Sequence, residues 1–187
     1  RIVGQKEDAQ LPDGTVLSGS LPPHLHGRTL YWTVWSLGAG MRLDAWLNYL
    51  ALAANVDGAE LALFGIKDNA LCRGGFGGLD RAAACTQLAA LVALYRRGRR
   101  EALLFAPKSA CAAAVCLRKN NDEVPALRAA QAAFEGNPYQ RGEKENPYFE
   151  LAFRGRTPFA AGSADAAEFL SLARAVFAPL LAFEMTT

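Results

Sequence analysis

The chain has 187 residues, of which 51% are hydrophobic and 20% charged, a balance typical of one globular domain rather than of a disordered segment. Its 20 Lys and Arg against 18 Asp and Glu give a net charge of +2, which argues against a freestanding, strongly DNA-binding protein but allows a local basic patch. The longest apolar run has eight residues, so we expect no membrane span. No signal peptide pattern opens the chain, and its start at Arg1 without an initiator Met is expected of a segment cut from a longer protein.

The first elements in chain order predict a β-hairpin. Residues 1–14 are polar, end in a Pro-Asp-Gly turn signal and are predicted to be a lead-in to the domain. Residues 15–21 predict one strand, and residues 28–36, rich in β-branched and aromatic side chains, predict a second. A loop of six residues separates the two segments, so we expect them to pair as a hairpin.

The rest of the chain alternates predicted helices and strands. Glycines at 74, 75, 77 and 78 indicate a flexible loop, and residues 136–147 indicate another. These patterns predict a small sheet with helices around it, in one α/β domain. The predicted helices span 41–55, 80–97, 109–115 and 125–136, with a last helix from 163, and the predicted strands span 59–65 and 67–72.

One dense basic cluster lies at the predicted end of the helix over 80–97. It consists of Arg96, Arg97, Arg99 and Arg100. A helix C-terminus favours cations through its dipole, but four arginines exceed what capping needs. Two interpretations therefore stay open for this cluster, a structural role and contact with phosphate groups.

The remaining chemically active side chains form no recognisable site. The four cysteines have no C-x-x-C spacing, which favours buried thiols in a reducing compartment. The glycine run lacks the Gly-Lys-Ser/Thr ending of a phosphate loop. Glu143 and Glu145 lie in a predicted loop without an aligned base, and we expect them to be solvated.

An ordered set of stretches from about residue 15 to residue 182 resembles one known family. That family is the C-terminal domain of the exodeoxyribonuclease V gamma chain, the RecC subunit of the RecBCD helicase–nuclease. No stretch is diagnostic alone, and the resemblance rests on their order and spacing. The stretches include LDAWLNYL at 43–50, LVALYRR at 91–97, LLFAPKS at 103–109, FEGN at 134–137 and PYF at 147–149.

The resemblance implies a fold like that of restriction-type nucleases, the PD-(D/E)XK class. Active members of that class hold Mg²⁺ with an Asp on one strand and a D/E-x-K pattern on the next. Here Pro22 falls at the first position, and Thr33 and Trp35 fall at the second pair. Residues 15–43 contain no Asp, Glu or Lys, so we expect a degenerate, non-catalytic centre without metal.

The same resemblance implies what should fill that lost centre. Trp35 stands where the lysine would be and is expected to serve packing. Trp32 lies three residues away on the same predicted strand and so should point to the opposite face. One of the two is therefore expected to face the helix that contains Trp46.

The implied function is that of a non-catalytic domain over 15–187 in a subunit of an ATP-dependent helicase–nuclease for double-strand break repair and recombination. Such a domain would assemble with RecB-like and RecD-like subunits and guide DNA strands, in the cytoplasm. It would need no cofactor, because ATP and Mg²⁺ would be used by the partner subunits. Two alternatives stay open: a divergent metal-dependent nuclease with a migrated carboxylate from Asp44 or Glu60, and a protein-interaction module without DNA contact.

Overall fold

The structure of the protein, a computed structural model, describes residues 6–186. The described residues form two compact units. The sheet unit comprises the described residues up to Leu94 and those from Ala182 onward, and the helical unit comprises Tyr95–Leu181. The elements in chain order are β1 (Lys6–Gln10), β2 (Val16–Ser20), β3 (Arg28–Trp32), α1 (Ala39–Ala53), β4 (Glu60–Lys67), β5 (Ala70–Phe76), α2 (Arg81–Gly98), α3 (Pro107–Asn120), α4 (Glu123–Glu135), β6 (Gly136–Asn137), β7 (Gln140–Arg141), a 3-10 turn (Glu143–Glu145), α5 (Pro147–Ala152), α6 (Ala164–Phe183) and β8 (Glu184–Thr186).

The sheet unit is built on a four-stranded mixed sheet in the order β3-β4-β5-β8. β3 and β4 are parallel, and α1 forms the crossover between them, as a parallel pair requires. The pairs β4–β5 and β5–β8 are antiparallel. The fold is therefore mixed α/β, with a small mixed sheet flanked by helices.

The predicted hairpin of residues 15–21 and 28–36 is wrong. β2 pairs with β1, in the register from Lys6 opposite Ser20 to Gln10 opposite Val16, and β3 belongs to the other sheet. The Pro-Asp-Gly turn closes this β1–β2 ribbon, with Gly14 at φ +80° and the Thr15 N–H donating to Asp13 Oδ1 at 2.9 Å. Residues 6–10 of the predicted lead-in are thus a strand, and residues 1–5 lie outside the described part of the chain.

The core of the sheet unit is an aromatic cluster between α1 and one face of the sheet. Trp46 lies 5.1 Å from Phe76 and 5.6 Å from Tyr49, measured between ring centroids. All three side chains are fully buried, as are Leu61 and Leu63 on β4. The Tyr49 hydroxyl accepts a hydrogen bond from the Leu79 N–H at 3.0 Å, so this buried phenol oxygen has a partner. Burial raises the pKa of Tyr49 above its usual value.

The glycine-rich segment is a strand for part of its length, not a loop. Gly74 and Gly75 lie in β5, which pairs with β4 through a turn at Asp68 and Asn69, both at positive φ. Gly75 is required by close packing, because a Cβ there would lie 2.4 Å from the Leu61 carbonyl oxygen. Gly75 therefore lets the backbones of β4 and β5 approach closely.

The helical unit contains a helical hairpin, α3–α4, and the long helix α6. Small side chains such as Ala113 and Ala130 are fully buried and let the helices approach closely. Phe134, Phe153 and Phe159 form a second aromatic cluster, with Phe134 and Phe153 stacked at 4.8 Å. The helix predicted over 109–115 extends over all of α3, and the predicted loop over 136–147 contains β6, β7 and the 3-10 turn.

One described helix, α6, is long and apolar enough to cross a membrane by length and composition. Half of its most apolar window is buried in the fold, including Phe169, Phe177 and Leu180. A core helix of a globular unit passes the same test, so this apolarity is explained by packing.

The predicted helices over 41–55 and 80–97 are confirmed as α1 and α2, within two residues at each end. Compact units of this size also occur inside single domains, so the prediction of one domain over 15–187 stays a prediction.

Candidate functional site

The three positions predicted to be a degenerate nuclease centre do not face one another across a hairpin. Pro22 is buried in the loop that follows β2, and its carbonyl oxygen lies 3.1 Å from His24 Nδ1. Thr33 follows β3, donates its N–H to the Phe64 carbonyl and accepts the Trp35 N–H on its hydroxyl at 3.2 Å. The hairpin on which these positions were placed is absent from the described residues, because β2 and β3 belong to different sheets.

The predicted packing role of Trp35 is wrong. Trp35 is 75% exposed and Trp32 is 70% exposed, so neither indole lies in a core. Trp46 packs against Tyr49, Phe76 and Phe183 instead. The expectation failed because β3 ends at Trp32, so Trp35 lies beyond the strand, and because the register places Trp32 beside Phe64, on the face of the sheet opposite the buried Leu61 and Leu63.

The face of the sheet opposite the buried aromatic cluster, which we call the outer face, carries a row of apolar side chains that are exposed within residues 6–186. The register places Leu30 beside Ala62, Trp32 beside Phe64, and Ile66 beside Leu71. The Arg73 guanidinium lies 5.9 Å from the centroid of the Phe64 ring, a cation–π contact. Side chains that make up the outer face and are more than two-fifths exposed are Leu30, Trp32, Ile66, Leu71 and Met185.

The backbone around the tryptophans is fixed to β4. The Thr33 N–H donates to the Phe64 carbonyl at 2.9 Å, and the Ile66 N–H donates to the Trp35 carbonyl at 3.0 Å. Gly65 permits this close approach of the segment 33–37 to β4, because a Cβ at Gly65 would lie 2.7 Å from the Trp35 carbonyl oxygen and 3.0 Å from the Leu37 side chain. The two exposed indoles are thus carried by hydrogen-bonded backbone.

β3 is an edge strand whose outward backbone groups are open at two residues. Gly27 and Thr33 bond to β4, so the alternation of the strand directs the N–H and C=O groups of Arg28, Leu30 and Trp32 away from the sheet. Arg28 uses its groups in a bridge with Leu25. Leu30 and Trp32 have no backbone partner on that side among residues 6–186.

Sequence reasoning missed this edge, although a signal was present. In the segment RTLYW, apolar or aromatic side chains fall on both faces of the strand, with Leu30 and Trp32 on one face and Tyr31 on the other. A strand that is apolar on both faces is typical of a sheet covered on both sides. Here only one cover lies within the described chain.

The predicted arginine cluster lies where expected, at the end of α2, but its members differ in their contacts. Arg97 is ion-paired with Glu101 and Glu168. The Arg97 guanidinium donates hydrogen bonds to both carboxylates, and these bonds, first that to Glu101, raise the pKa of Arg97. The side chains of Arg99 and Arg100 are exposed and have no acidic partner among residues 6–186. The structure therefore assigns Arg97 to intramolecular contacts and leaves Arg99 and Arg100 available to a ligand.

Arg97 is one end of a charged network on the helical unit. Glu168 also contacts Arg156 at 3.2 Å, and Arg156 donates to Asp165 Oδ1 at 2.8 Å. Asp165 accepts the Thr157 N–H as well, at 2.8 Å. The hydrogen bond from Arg156, followed by that from Thr157, lowers the pKa of Asp165 below its usual value.

Charge is divided unevenly between the two units. Residues 95–181 contain 13 Lys and Arg against nine Asp and Glu, whereas residues 1–94 and 182–187 contain seven against nine. The helical unit is therefore net basic and the sheet unit net acidic. The overall net charge of +2 is thus the sum of two unequal parts, a basic helical unit and an acidic sheet unit.

Asp44 and Glu60, the two acids considered for a migrated nuclease centre, do not belong to a metal-binding cluster among the described residues. Glu60 pairs with Arg28 at 3.1 Å, and Asp44 is an exposed residue of α1. No group of three or more His, Cys, Asp or Glu side chains converges among the described residues. Divalent cations such as Mg²⁺ prefer several oxygen ligands, and this arrangement does not supply them.

Glu143 is not solvated, contrary to the sequence-based expectation. Its carboxylate is buried and accepts the backbone N–H groups of Lys108 and Ser109 at 2.8 and 2.7 Å, as well as the Ser109 hydroxyl at 2.7 Å. Lys108 and Ser109 are in the first turn of α3, whose N-terminal N–H groups lack intrahelical acceptors. The side chain is thus a cap supplied from elsewhere in the chain.

The chain is similar to proteins of one family. The family model described as the RecC C-terminal domain matches residues 4–118. Two curated proteins named RecBCD enzyme subunit RecC, from Mycobacterium tuberculosis strains CDC 1551 / Oshkosh and ATCC 25618 / H37Rv, are each 32% identical to this chain over 161 residues. The alignment covers 81% of this chain and 14% of each relative, so the chain spans about one seventh of their length.

Proposed function

The chain belongs to the RecC C-terminal domain family, and we propose that it is a non-catalytic part of the gamma subunit of a RecBCD-like helicase–nuclease in double-strand break repair and recombination. It would assemble with RecB-like and RecD-like subunits and guide DNA strands, in the cytoplasm. It would hold no cofactor itself, while ATP and Mg²⁺ would be used by the partner subunits. The family match is the observation that carries this proposal.

The proposal includes a nuclease-like fold that has lost its metal centre. The small mixed sheet flanked by helices supports that origin. The absence of Asp, Glu and Lys from residues 15–43 supports the loss, as do the pairing of Glu60 with Arg28 and the exposure of Asp44. A Mg²⁺-dependent hydrolysis needs clustered carboxylates to bind the ion and orient water.

The helical unit is the proposed DNA-contacting part. Its net basic charge favours association with a polyanion, and Arg99 and Arg100 are exposed cations without an acidic partner among residues 6–186. An arginine fork matches a phosphate group, and each such contact releases counterions. Arg97, which is held by Glu101 and Glu168, is assigned to structure.

The experiment measures how DNA affinity depends on salt in the assembled helicase–nuclease. Replacing Arg99 and Arg100 with Gln should make the log–log salt slope shallower by about 0.9 for each lost duplex phosphate contact, or about 0.7 on single strands. Arg174→Gln is the matched control, because Arg174 is an equally cationic residue of the helical unit that pairs with Glu123 at 2.9 Å. An unchanged slope in the Arg99 and Arg100 variants would assign these residues to solubility and refute the DNA contact.

A further inference from the structure

The free edge of β3 has the hydrogen-bonding pattern of a strand-binding site. The outward N–H and C=O groups of Leu30 and Trp32 lie two residues apart, which is the spacing at which a neighbouring strand bonds. Edge strands of stable proteins are usually protected by charge, proline or a covering element. Beyond Arg28, which is already bridged to Leu25, this edge has none of these among the described residues.

The side chains beside that edge are large, apolar and exposed. Leu30 is 58% exposed and Trp32 is 70% exposed, and both lie on the outer face. Trp35 adds a second exposed indole on backbone that is fixed to β4. Rigidly placed tryptophans surrounded by apolar residues are typical of the centre of protein–protein interfaces.

We propose that the free edge of β3 binds an extended segment of a partner subunit, which adds to the sheet as a fifth strand and covers Leu30 and Trp32. This inference rests on the proposed function in one respect, since it takes the partner from the assembly. It goes further by assigning the contact to named backbone groups. Backbone hydrogen bonds would hold the added strand, and its alternate apolar side chains would lie against the two exposed residues.

Charge favours a polypeptide over a nucleic acid at this edge. Exposed tryptophans also stack on bases, but single-strand binding combines such stacking with a positively charged groove. The sheet unit is net acidic, and Arg28, the one cationic residue of β3, is paired with Glu60. A strand has no phosphate charge to be repelled, and it satisfies the open N–H and C=O groups that a nucleic acid backbone would leave unmatched.

The first test is amide hydrogen exchange in the full-length parent subunit, alone and in the assembled complex, resolved to single residues by fragmentation. The outward N–H groups of Leu30 and Trp32 should exchange fast in the subunit alone and slow by about tenfold or more in the complex. The inward N–H groups of Tyr31 and Thr33, which face β4, serve as internal controls and should be protected in both states. Equal exchange of Leu30 and Trp32 in both states would overturn the proposal.

The second test compares variants of the parent subunit for association with its partner subunits. Trp32→Lys and Leu30→Pro should weaken association by about tenfold or more, the first by placing a charge at the edge and the second by removing an outward donor. Leu30→Ala keeps the N–H and should weaken it less. Leu71→Lys is the matched control, because Leu71 is an exposed residue of the outer face on β5, away from the edge.

The outcomes separate the alternatives. If Leu71→Lys weakens association as much as Trp32→Lys, a layer covers the whole outer face and strand addition is refuted. If Trp32→Lys leaves association unchanged but lowers crosslinking to single-stranded DNA, the edge binds bases and the proposal is also refuted. Failure of the wild-type subunit to assemble at all would refute the proposed function as well, whereas assembly unaffected by Trp32→Lys would refute this inference alone.

Discussion

Replacing Glu143 should be among the most damaging single changes in the helical unit. Its buried carboxylate accepts three hydrogen bonds, from the backbone N–H groups of Lys108 and Ser109 and from the Ser109 hydroxyl. In the Glu143→Ala variant these three donors lose their acceptor, and two of them are backbone N–H groups of the first turn of α3. Water reaches this site poorly, because Ser109 is fully buried.

The magnitude follows from the number and kind of these bonds. A hydrogen bond to a charged acceptor contributes about 1.5–3 kcal/mol, but bonds that share one carboxylate are not additive. A negative charge at a helix N-terminus adds about 0.3–1 kcal/mol. We therefore expect Glu143→Ala to lower the free energy of unfolding by about 3–5 kcal/mol. Glu143→Gln keeps one carbonyl acceptor but turns an NH₂ group toward a donor. This variant should therefore lower the free energy of unfolding by about 2 kcal/mol.

Equilibrium urea unfolding, followed by circular dichroism, measures both losses. Glu145→Gln is the control, because the Glu145 side chain is half-exposed, accepts the Gly142 N–H at a long 3.3 Å and lies 3.7 Å from Arg141. That change should cost less than about 1 kcal/mol. A Glu143→Ala variant that unfolds within about 1 kcal/mol of the wild type would show that α3 does not depend on this cap.

Two further predictions concern the packing beneath the tryptophans and the charged network. Gly65→Ala should lower the free energy of unfolding by about 1–3 kcal/mol, because the new Cβ would meet the Trp35 carbonyl oxygen. Gly40→Ala is the control, because Gly40 lies in open space within α1, and this change should leave the free energy of unfolding the same or raise it. Thermal unfolding of both variants measures the difference. Asp165 has a lowered pKa in the folded state, so its contribution is present above its ordinary pKa of 3.8 and is lost as pH falls through the folded-state pKa. The unfolding curves of Asp165→Asn and wild type should therefore converge at low pH, and a gap that stays constant would exclude this role for the pair with Arg156.

Local patterns predicted the helices well, but the strand pairing depended on distant residues. α1 and α2 follow from apolar side chains at helical spacing, which is a property of each segment alone. The partner of β3 is β4, which follows a complete helix, and the partner of β2 is the polar strand β1. No periodic signal in the β1 segment KEDAQ marks a strand, so tertiary pairing determines its conformation.

The candidate site shows the same division between local and distant information. The position of the arginine cluster at a helix end was predictable from the sequence, because the helix boundary is a local property. Which arginine is free was not predictable, because Glu168 pairs with Arg97 across 71 residues of sequence. The burial of Glu143 likewise depends on the start of α3, 34 residues away from it in the chain.

The uneven charge of the two units connects these observations to the proposed assembly. A polyanion and a protein strand bind to different kinds of surface. A polyanion binds unpaired cations, whereas an added strand binds open backbone N–H and C=O groups beside apolar side chains. The chain supplies the two sets on different residues, Arg99 and Arg100 in the basic unit and Leu30 and Trp32 in the acidic one. In the proposed assembly, DNA contact and subunit contact would therefore draw on separate groups, and covering by a partner strand would give the exposed tryptophans a physical reason to remain on the surface.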